Sequence, residues 1–350
     1  MRLHSSILRD SWKSIKTVLL ANYLRYFKKK VNPESFRISK VKRVLVVRLD
    51  KVGDLILSTP VFENIKNTIP DVKISALVRS YNSGVLKNNP FVDEVLEYDN
   101  YNDREKLKNS NYDLAISLIY DFSLEGAYAC YLSRAAYRAG FKDKYSEEFF
   151  NILIEKNKAP KYELLRNLDL IEKLGFGTGV IKSRLYPESK EVEQSLEYFK
   201  SVGIGKTDLV IGFNPGTGRK RREWPLEKYI ALGKILTSEY NAKIIVSWGK
   251  ADKTIAEKIV KNIGANAYMA CETDILQLAS LMKRFKLLVC GNTGPAHAAM
   301  AMEVPLVGLY GENDHLNWTP QDKSKLQVIS AKRCSDIEVA EVLTGIKGFL

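Results

Sequence analysis

Four loops of this chain set ionisable residues beside glycines, each directly after a short apolar run. In Leu49-Asp50-Lys51-Val52-Gly53-Asp54, two carboxylates stand where a strand would give way to a helix. A carboxylate within hydrogen-bond reach of a hydroxyl can take its proton, and on position alone Asp50 and Asp54 qualify equally. A carboxylate at such a junction also suits capping of the helix amides. In Asn214–Pro225 the turn Gly216-Thr217-Gly218 runs into four consecutive cations, Arg219–Arg222, with Lys220 and Arg222 among them. Glycine amides beside cations can hold phosphate oxygens; a solvated basic loop is the plainer alternative. Asp252, closing Trp248-Gly249-Lys250-Ala251-Asp252, suits either ribose hydroxyls or the cap of a following helix. Asn292-Thr293-Gly294-Pro295-Ala296-His297 leads from a strand-like run into an alanine-rich helix. A helix N-terminus offers free amides and partial positive charge, so this segment suits an anion, and a nucleotide diphosphate is the commonest one held this way. His297, one turn into that helix, fits a structural role as well as a catalytic one. Glu312, Asn313 and Asp314 follow the next strand, within reach of the same crevice.

These loops need a scaffold that brings strand ends together, and the pattern supplies one. Arg43–Arg48, Lys73–Val78, Glu94–Glu97 and Asp113–Leu118 read as strands of a first half, with helices from Gly53-Asp54 to Ile69, near 124–134 and near 161–174. Pro60 leaves open whether the first helix starts near Asp54 or at Thr59. Residues 181–207 read as a connection with one helix over Glu191–Val202. The pattern then restarts: strands at Leu209–Phe213, Lys243–Ser247, 286–290 and Leu306–Tyr310, helices at Pro225–Ser238, 252–262, 274–284 and 335–344. Strands alternating with helices predict parallel sheets with right-handed crossovers. The expected division is a leader over 1–40, a first domain over 41–180, a linker over 181–207, a second domain over 208–334 and a terminal helix over 335–350.

Composition excludes several classes. Hydrophobic residues make up 45% and charged residues 27% of the chain, as in an ordinary globular protein. The four cysteines form no CxxC pair and there are three histidines, so neither a zinc site nor a disulfide framework is expected. Of the net charge of +13, residues 1–43 carry +10 (12 Lys/Arg against Asp10 and Glu34). The body is therefore nearly neutral and a nucleic-acid partner is disfavoured. In the leader, Leu8, Trp12, Ile15, Leu19, Tyr23 and Tyr26 recur at helical spacing with Arg9, Lys13, Lys16 and Arg25 off the stripe. That pattern fits an anionic membrane surface or a helix docked on the body; its uncharged run is too short to span a bilayer. The Gly53 loop lacks the Gly-x-Gly-x-x-Gly of a dinucleotide site, which disfavours hydride transfer, and no Walker loop is present.

Taken together, VLVVRLDKVGDLILSTPVFENIKNTIPDVKI (44–74), GFNPGTGRKRREWPLEKYIALGKIL (212–236), SWGKADK (247–253) and LLVCGNTGPAHAAMAMEVPLVGLYG (287–311) resemble glycosyltransferase family nine, the bacterial lipopolysaccharide heptosyltransferases. The resemblance implies a GT-B fold, two Rossmann-like domains with the acceptor mainly on the first and the nucleotide-sugar donor on the second. It also implies inverting chemistry with no cofactor and no bound metal. The family's catalytic aspartate falls on Asp54 rather than Asp50, its phosphate-binding lysine on Arg222 and its ribose-binding acid on Asp252. Its Asp-Thr/Ser-Gly-x-x-His motif falls on Asn292–His297, with asparagine in place of aspartate. The amides of Thr293 and Gly294, with Arg222, would stabilise the departing diphosphate. The implied activity moves a heptose, or related sugar, from ADP-heptose to a lipopolysaccharide core acceptor, at the cytoplasmic face of the bacterial inner membrane. Transfer from another donor in capsule or glycan assembly, and nucleotide-sugar binding without turnover, are the alternatives.

Overall fold

The computed structural model describes residues 17–20, 31–157 and 159–350. Strands of the first sheet are β1 (Arg43–Val47), β2 (Lys73–Val78), β3 (Glu94–Glu97), β4 (Leu114–Ser117), β5 (Tyr137–Phe141) and β6 (Ile152–Ile154). Those of the second are β7 (Val210–Asn214), β8 (Lys243–Val246), β9 (Ala267–Met269), β10 (Leu287–Gly291), β11 (Leu306–Gly311) and β12 (Leu326–Ala331). The first sheet runs β3-β2-β1-β4-β5-β6 and the second β12-β11-β10-β7-β8-β9, with every pairing parallel. Counted within its own half, each sheet has the doubly wound order 3-2-1-4-5-6. Each therefore opens a crevice at its switch point, beyond the carboxyl ends of its first and fourth strands. In the first sheet that is β1 beside β4; in the second it is β7 beside β10.

Apolar sequence explains the central strands. Four of the five residues of RVLVV in β1 are buried, as are all five of LLVCG in β10, the signature of strands covered by helices on both faces. The segment after β1 shows how local chemistry shapes the site. It forms α1 (Val52–Ile56), breaks at Leu57-Ser58 and resumes as α2 (Thr59–Thr68). Pro60 has no N–H, and in a continuous helix its ring would press on the carbonyl of Ile56. The break frees that carbonyl, which accepts the Thr59 hydroxyl at 2.9 Å, while the Ser58 hydroxyl donates to Asp54 O at 2.8 Å. Both starts that Pro60 left open are thus realised.

The remaining helices of the first half are α3 (Tyr101–Asn109), α4 (Leu124–Leu132), α5 (Ser146–Phe149) and α6 (Glu163–Lys173); α7 (Ser189–Ser201) follows. The second half carries α8 (Leu226–Tyr240), α9 (Lys253–Ile263), α10 (Ile275–Met282), α11 (Gly294–Ala301), α12 (His315–Trp318) and α13 (Val339–Lys347). Strands β5, β6, β9 and β12, and helices α3, α5 and α12, were not expected. The terminal helix begins at Val339 rather than 335, because Cys334–Asp336 forms a separate 3-10 turn. One apolar cluster runs from Val44, Val46 and Ile116 through Leu164 and Leu168 of α6 to Leu276, Ala298 and Met302 of the second half. At about 1.5–3 kcal/mol for each large apolar side chain buried, this shared core holds the two crevices against each other.

The leader stripe lies outside the described residues except for Leu19, which is exposed. Next to it Thr17 is buried and Leu20 packs against the cluster of Leu45, Val47 and Ala127. Among the described residues no helix is long and apolar enough to cross a membrane.

Candidate active site

The first wall of the site grows out of β1. Arg48 continues the ladder, its N–H donating to Leu77 O at 3.0 Å, but its side chain turns inward and is 1% exposed. Asp50 follows, its carbonyl held by the Tyr81 hydroxyl at 2.7 Å and the Asn82 amide at 2.8 Å, so the loop is fastened to the residues after β2. Asp54 sits in the first turn of α1. One oxygen accepts the Lys51 N–H and the other the Arg48 guanidinium, both at 3.3 Å. The capping role and the role facing the crevice are therefore filled by one carboxylate, whose side chain is 17% exposed. Asp50 also reaches Arg48, at 3.3 Å, yet burial pushes its carboxyl above the ordinary range despite that cation.

The opposite wall is built by three loops of the second sheet. Asn214, at the end of β7, donates to the Ser247 carbonyl and hydroxyl and so joins the loops after β7 and β8. Asp252 lies against Gly216, and a methyl group at Gly216 would run into its carboxylate. Asp252 makes no side-chain bond to the start of α9, so the capping alternative is not what the fold uses. Burial, with Glu223 adding to it, raises this carboxyl. Arg222 comes from a 3-10 turn over Lys220–Arg222; its Nη2 pairs with Asp314 at 2.8 Å, and its carbonyl passes over Gly291 at the end of β10. Thr217 also passes over Gly291 and donates its hydroxyl to Arg219 O within its own loop. Lys220 is exposed and lines a separate hollow with Arg221, Trp224 and Arg333, so it is not brought to Arg222's side. Glu312 and Asn313 are exposed too; of that trio only Asp314 enters the site.

Thr293 and Gly294 open α11, and the Thr293 side chain forms no cap, leaving the first turn available to a ligand. Three buried polar atoms cluster here without partners: Arg222 Nε, Asn292 Nδ2 and His297 Nδ1. Buried polar atoms left unpaired are rare in folded proteins, and a bound anion with polar groups would satisfy them. His297 spans the crevice, its ring lying on the backbone of Gly53; a Cβ built at Gly53 would stand 2.5 Å from His297 Cδ2. The ring centroid is 5.8 Å from that of Trp318. Burial, aided by Arg222 and opposed by Asp54, lowers the imidazole pKa to about 4, so His297 is neutral at physiological pH. The folded value lies below the free one. The associated stability is therefore complete above about pH 6.5 and is lost as pH falls toward 4, by up to about 3 kcal/mol. Melting curves across that window are expected to show a slope that His297→Gln reduces. Identical slopes in the two proteins would show that His297 does not titrate there.

The sequence-derived candidates Asp54, Arg222, Asp252, Asn292, Thr293, Gly294 and His297 thus converge on two facing switch points, Thr217 borders them, and Lys220 stays outside. Arg48, Glu163 and Trp318 were missed. The signal for Arg48 was available: a cation closing the apolar run Val44–Val47. Glu163 and Trp318 carried none, since their proximity arises only from the packing of α6 and α12. A cavity of about 520 Å³ lies elsewhere, lined by Leu164, Ile181, Leu185 and Met302 at the far end of α11 from this chemistry. Among the described residues no group of three or more His, Cys, Asp or Glu is placed to hold a metal ion.

Two parallel sheets of one strand order, meeting at their carboxyl ends with a carboxylate on one side and a helix N-terminus on the other, define a GT-B fold. The chain belongs to glycosyltransferase family 9 (heptosyltransferase), whose family model matches residues 102–343. It is 23% identical over 296 residues to lipopolysaccharide heptosyltransferase 3 of Escherichia coli, covering 79% of this chain and 85% of that one. Its fold matches the crystal structure of the family 9 glycosyltransferase from Veillonella parvula with a TM-score of 0.80 at 20% identity, covering 88% and 97% of the two chains. It matches the structure of E. coli ADP-heptose LPS heptosyltransferase II with a TM-score of 0.73 at 21% identity, covering 88% and 98%.

Proposed function

We propose that the protein transfers a heptose, or a closely related sugar, from ADP-heptose to a lipopolysaccharide core acceptor, with inversion and without a bound metal. The observation that carries this reading is the placement of Asp54 opposite the first turn of α11 and Arg222. Asp54 takes the proton of the acceptor hydroxyl, which attacks the anomeric carbon from the face away from the diphosphate. Negative charge then grows on the leaving diphosphate, where Arg222, the Thr293 and Gly294 amides and the α11 N-terminus stabilise it. Asp252 holds the ribose, Thr217 borders the phosphates, and neutral His297 seats the donor half on α1 without adding charge beside the base. The first half binds the acceptor and the second the donor, and the basic leader rests on an anionic membrane surface.

A second reading, the same chemistry with another donor sugar, is favoured by Asn292. Its buried Nδ2 has no partner, and an amide presents a donor where a carboxylate would only accept. A thermal-shift panel of ADP-, UDP- and GDP-sugars separates the two. ADP-heptose is expected to stabilise the protein most; a shift with UDP-sugars and none with ADP-heptose would overturn the heptosyl assignment. Product from any donor would dispose of a binding protein without turnover.

A further inference from the structure

One buried guanidinium faces three carboxylates beneath the candidate base. Arg48 Nη2 donates to Glu163 Oε1 at 2.8 Å and to Asp54 Oδ1 at 3.3 Å, and its Nε faces Asp50 Oδ2 at 3.3 Å. Its Nη1 donates to the Leu118 carbonyl and to Asn167 Oδ1. Glu163 and Asn167 stand four residues apart on α6, hence on one face of that helix. Glu163 is the closest carboxylate, so it decides where the guanidinium lies. Asp54 is left with a longer contact and stays free to accept a proton. Asn167 holds the other end of the same turn, donating to Leu57 O and Ser58 Oγ at the break behind α1.

The second oxygen of Glu163 accepts Arg166 Nη1 at 3.3 Å. Arg166 Nη2 in turn donates to Asn317 Oδ1 at 2.9 Å, and the Lys161 N–H donates to the same oxygen at 3.3 Å. Asn317 belongs to α12, in the second half. That short helix follows directly on Asp314, the partner of Arg222, and ends in Trp318, the neighbour of His297. An unbroken series of bonded groups, Asp54–Arg48–Glu163–Arg166–Asn317, therefore joins the candidate base to the element that flanks the phosphate cation. Glu163 is 4% exposed and is its midpoint.

We propose that Glu163 is a positioning residue for the transfer reaction: it fixes Arg48 against Asp54 and, through Arg166 and Asn317, ties the setting of the base to the donor half. This rests on Asp54 being the base. A carboxylate displaced by about 1 Å loses on the order of 10²-fold in rate, so a side chain that never touches substrate acts through kcat.

The test is Glu163→Gln in the full-length protein, which keeps the shape and removes the charge. Turnover with ADP-heptose is expected to fall about 10–100-fold, while ADP affinity by calorimetry stays within about twofold. A role in folding alone would lower the melting temperature and leave kcat per folded molecule unchanged, and that result overturns the proposal. In an Asp54→Asn background the Glu163→Gln change should add no further loss, whereas additive losses overturn it. Full turnover by Asp54→Asn alone would instead sink the reading of the base, a distinguishable failure. If the wild-type protein turns over no donor, amide exchange of residues 48–58 decides: faster exchange in Glu163→Gln supports the proposal and unchanged exchange overturns it. Should Glu163→Gln not fold, Arg166→Met carries the same test, with a kcat loss of several-fold expected and wild-type kcat overturning it.

Discussion

Asp54→Asn is expected to lose about 10²–10⁴-fold in turnover, the usual contribution of a positioned general base, while binding nucleoside diphosphates within about twofold of wild type. The substitution is nearly isosteric. The amide oxygen can still accept the Lys51 N–H that the carboxylate now accepts at 3.3 Å, so α1 keeps its first turn. Arg48 keeps Glu163 and Asp50 as counter-charges, so no buried cation is stranded. The loss is therefore that of proton acceptance and of the one 3.3 Å bond from Arg48 Nη2, which an amide nitrogen cannot accept. Turnover measured by product formation, with ADP and UDP affinities by calorimetry, makes the comparison. Wild-type turnover in the variant would remove Asp54 from the mechanism and return Asp50 to consideration.

Arg222→Met should cost about 10²–10³-fold in kcat/KM, the scale seen when one preorganised charge stabiliser is deleted, and should weaken nucleoside diphosphate binding as well. Arg222 Nη2 pairs with Asp314 at 2.8 Å and its Nε is buried without a partner, so the guanidinium has a donor to spare for a phosphate. Removing it also strands Asp314, whose repulsion of the diphosphate would deepen the defect. Arg222→Lys should recover part of the loss, because an ammonium keeps the charge and gives up the two-pronged geometry. If Arg222→Met binds and turns over like wild type, the phosphates lie elsewhere, and the exposed Lys220 and Arg221 become the candidates.

Legibility from sequence followed burial. Lys73–Val78 was predicted residue for residue, and β1, β7, β10 and β11 within one or two residues, because buried parallel strands are apolar runs bounded by turns. Glu94–Glu97, at the sheet edge, was also predicted to the residue, from the apolar pair Val95-Leu96 between two acids. The other outer strands gave weaker signals. β9 is three residues long, and β12 buries only two of its six residues, at a sheet edge. β5 (YRAGF) holds a buried Arg138 that is satisfied by the carbonyls of Phe149 and Ala135, and Gly140 lies where any side chain would strike Phe150. Neither residue advertises a strand. Among the candidate site residues, position directly after a strand singled out the loops but left Asp50 and Asp54 equal, and the family resemblance chose Asp54 and, among four cations, Arg222. Glu163 was not legible, since it is one acid in a charged helix and its partner Arg48 lies 115 residues away in sequence.

The contact of His297 on Gly53 also acts as a gauge. Carbon atoms in ordinary contact stand about 3.5–4 Å apart, and a methyl group at Gly53 would meet the imidazole at 2.5 Å. One added carbon would act as a shim of roughly an ångström between the two halves. The separation of Asp54 from the α11 N-terminus is thus calibrated by the thickness of a bare peptide, set by a side chain that this position lacks.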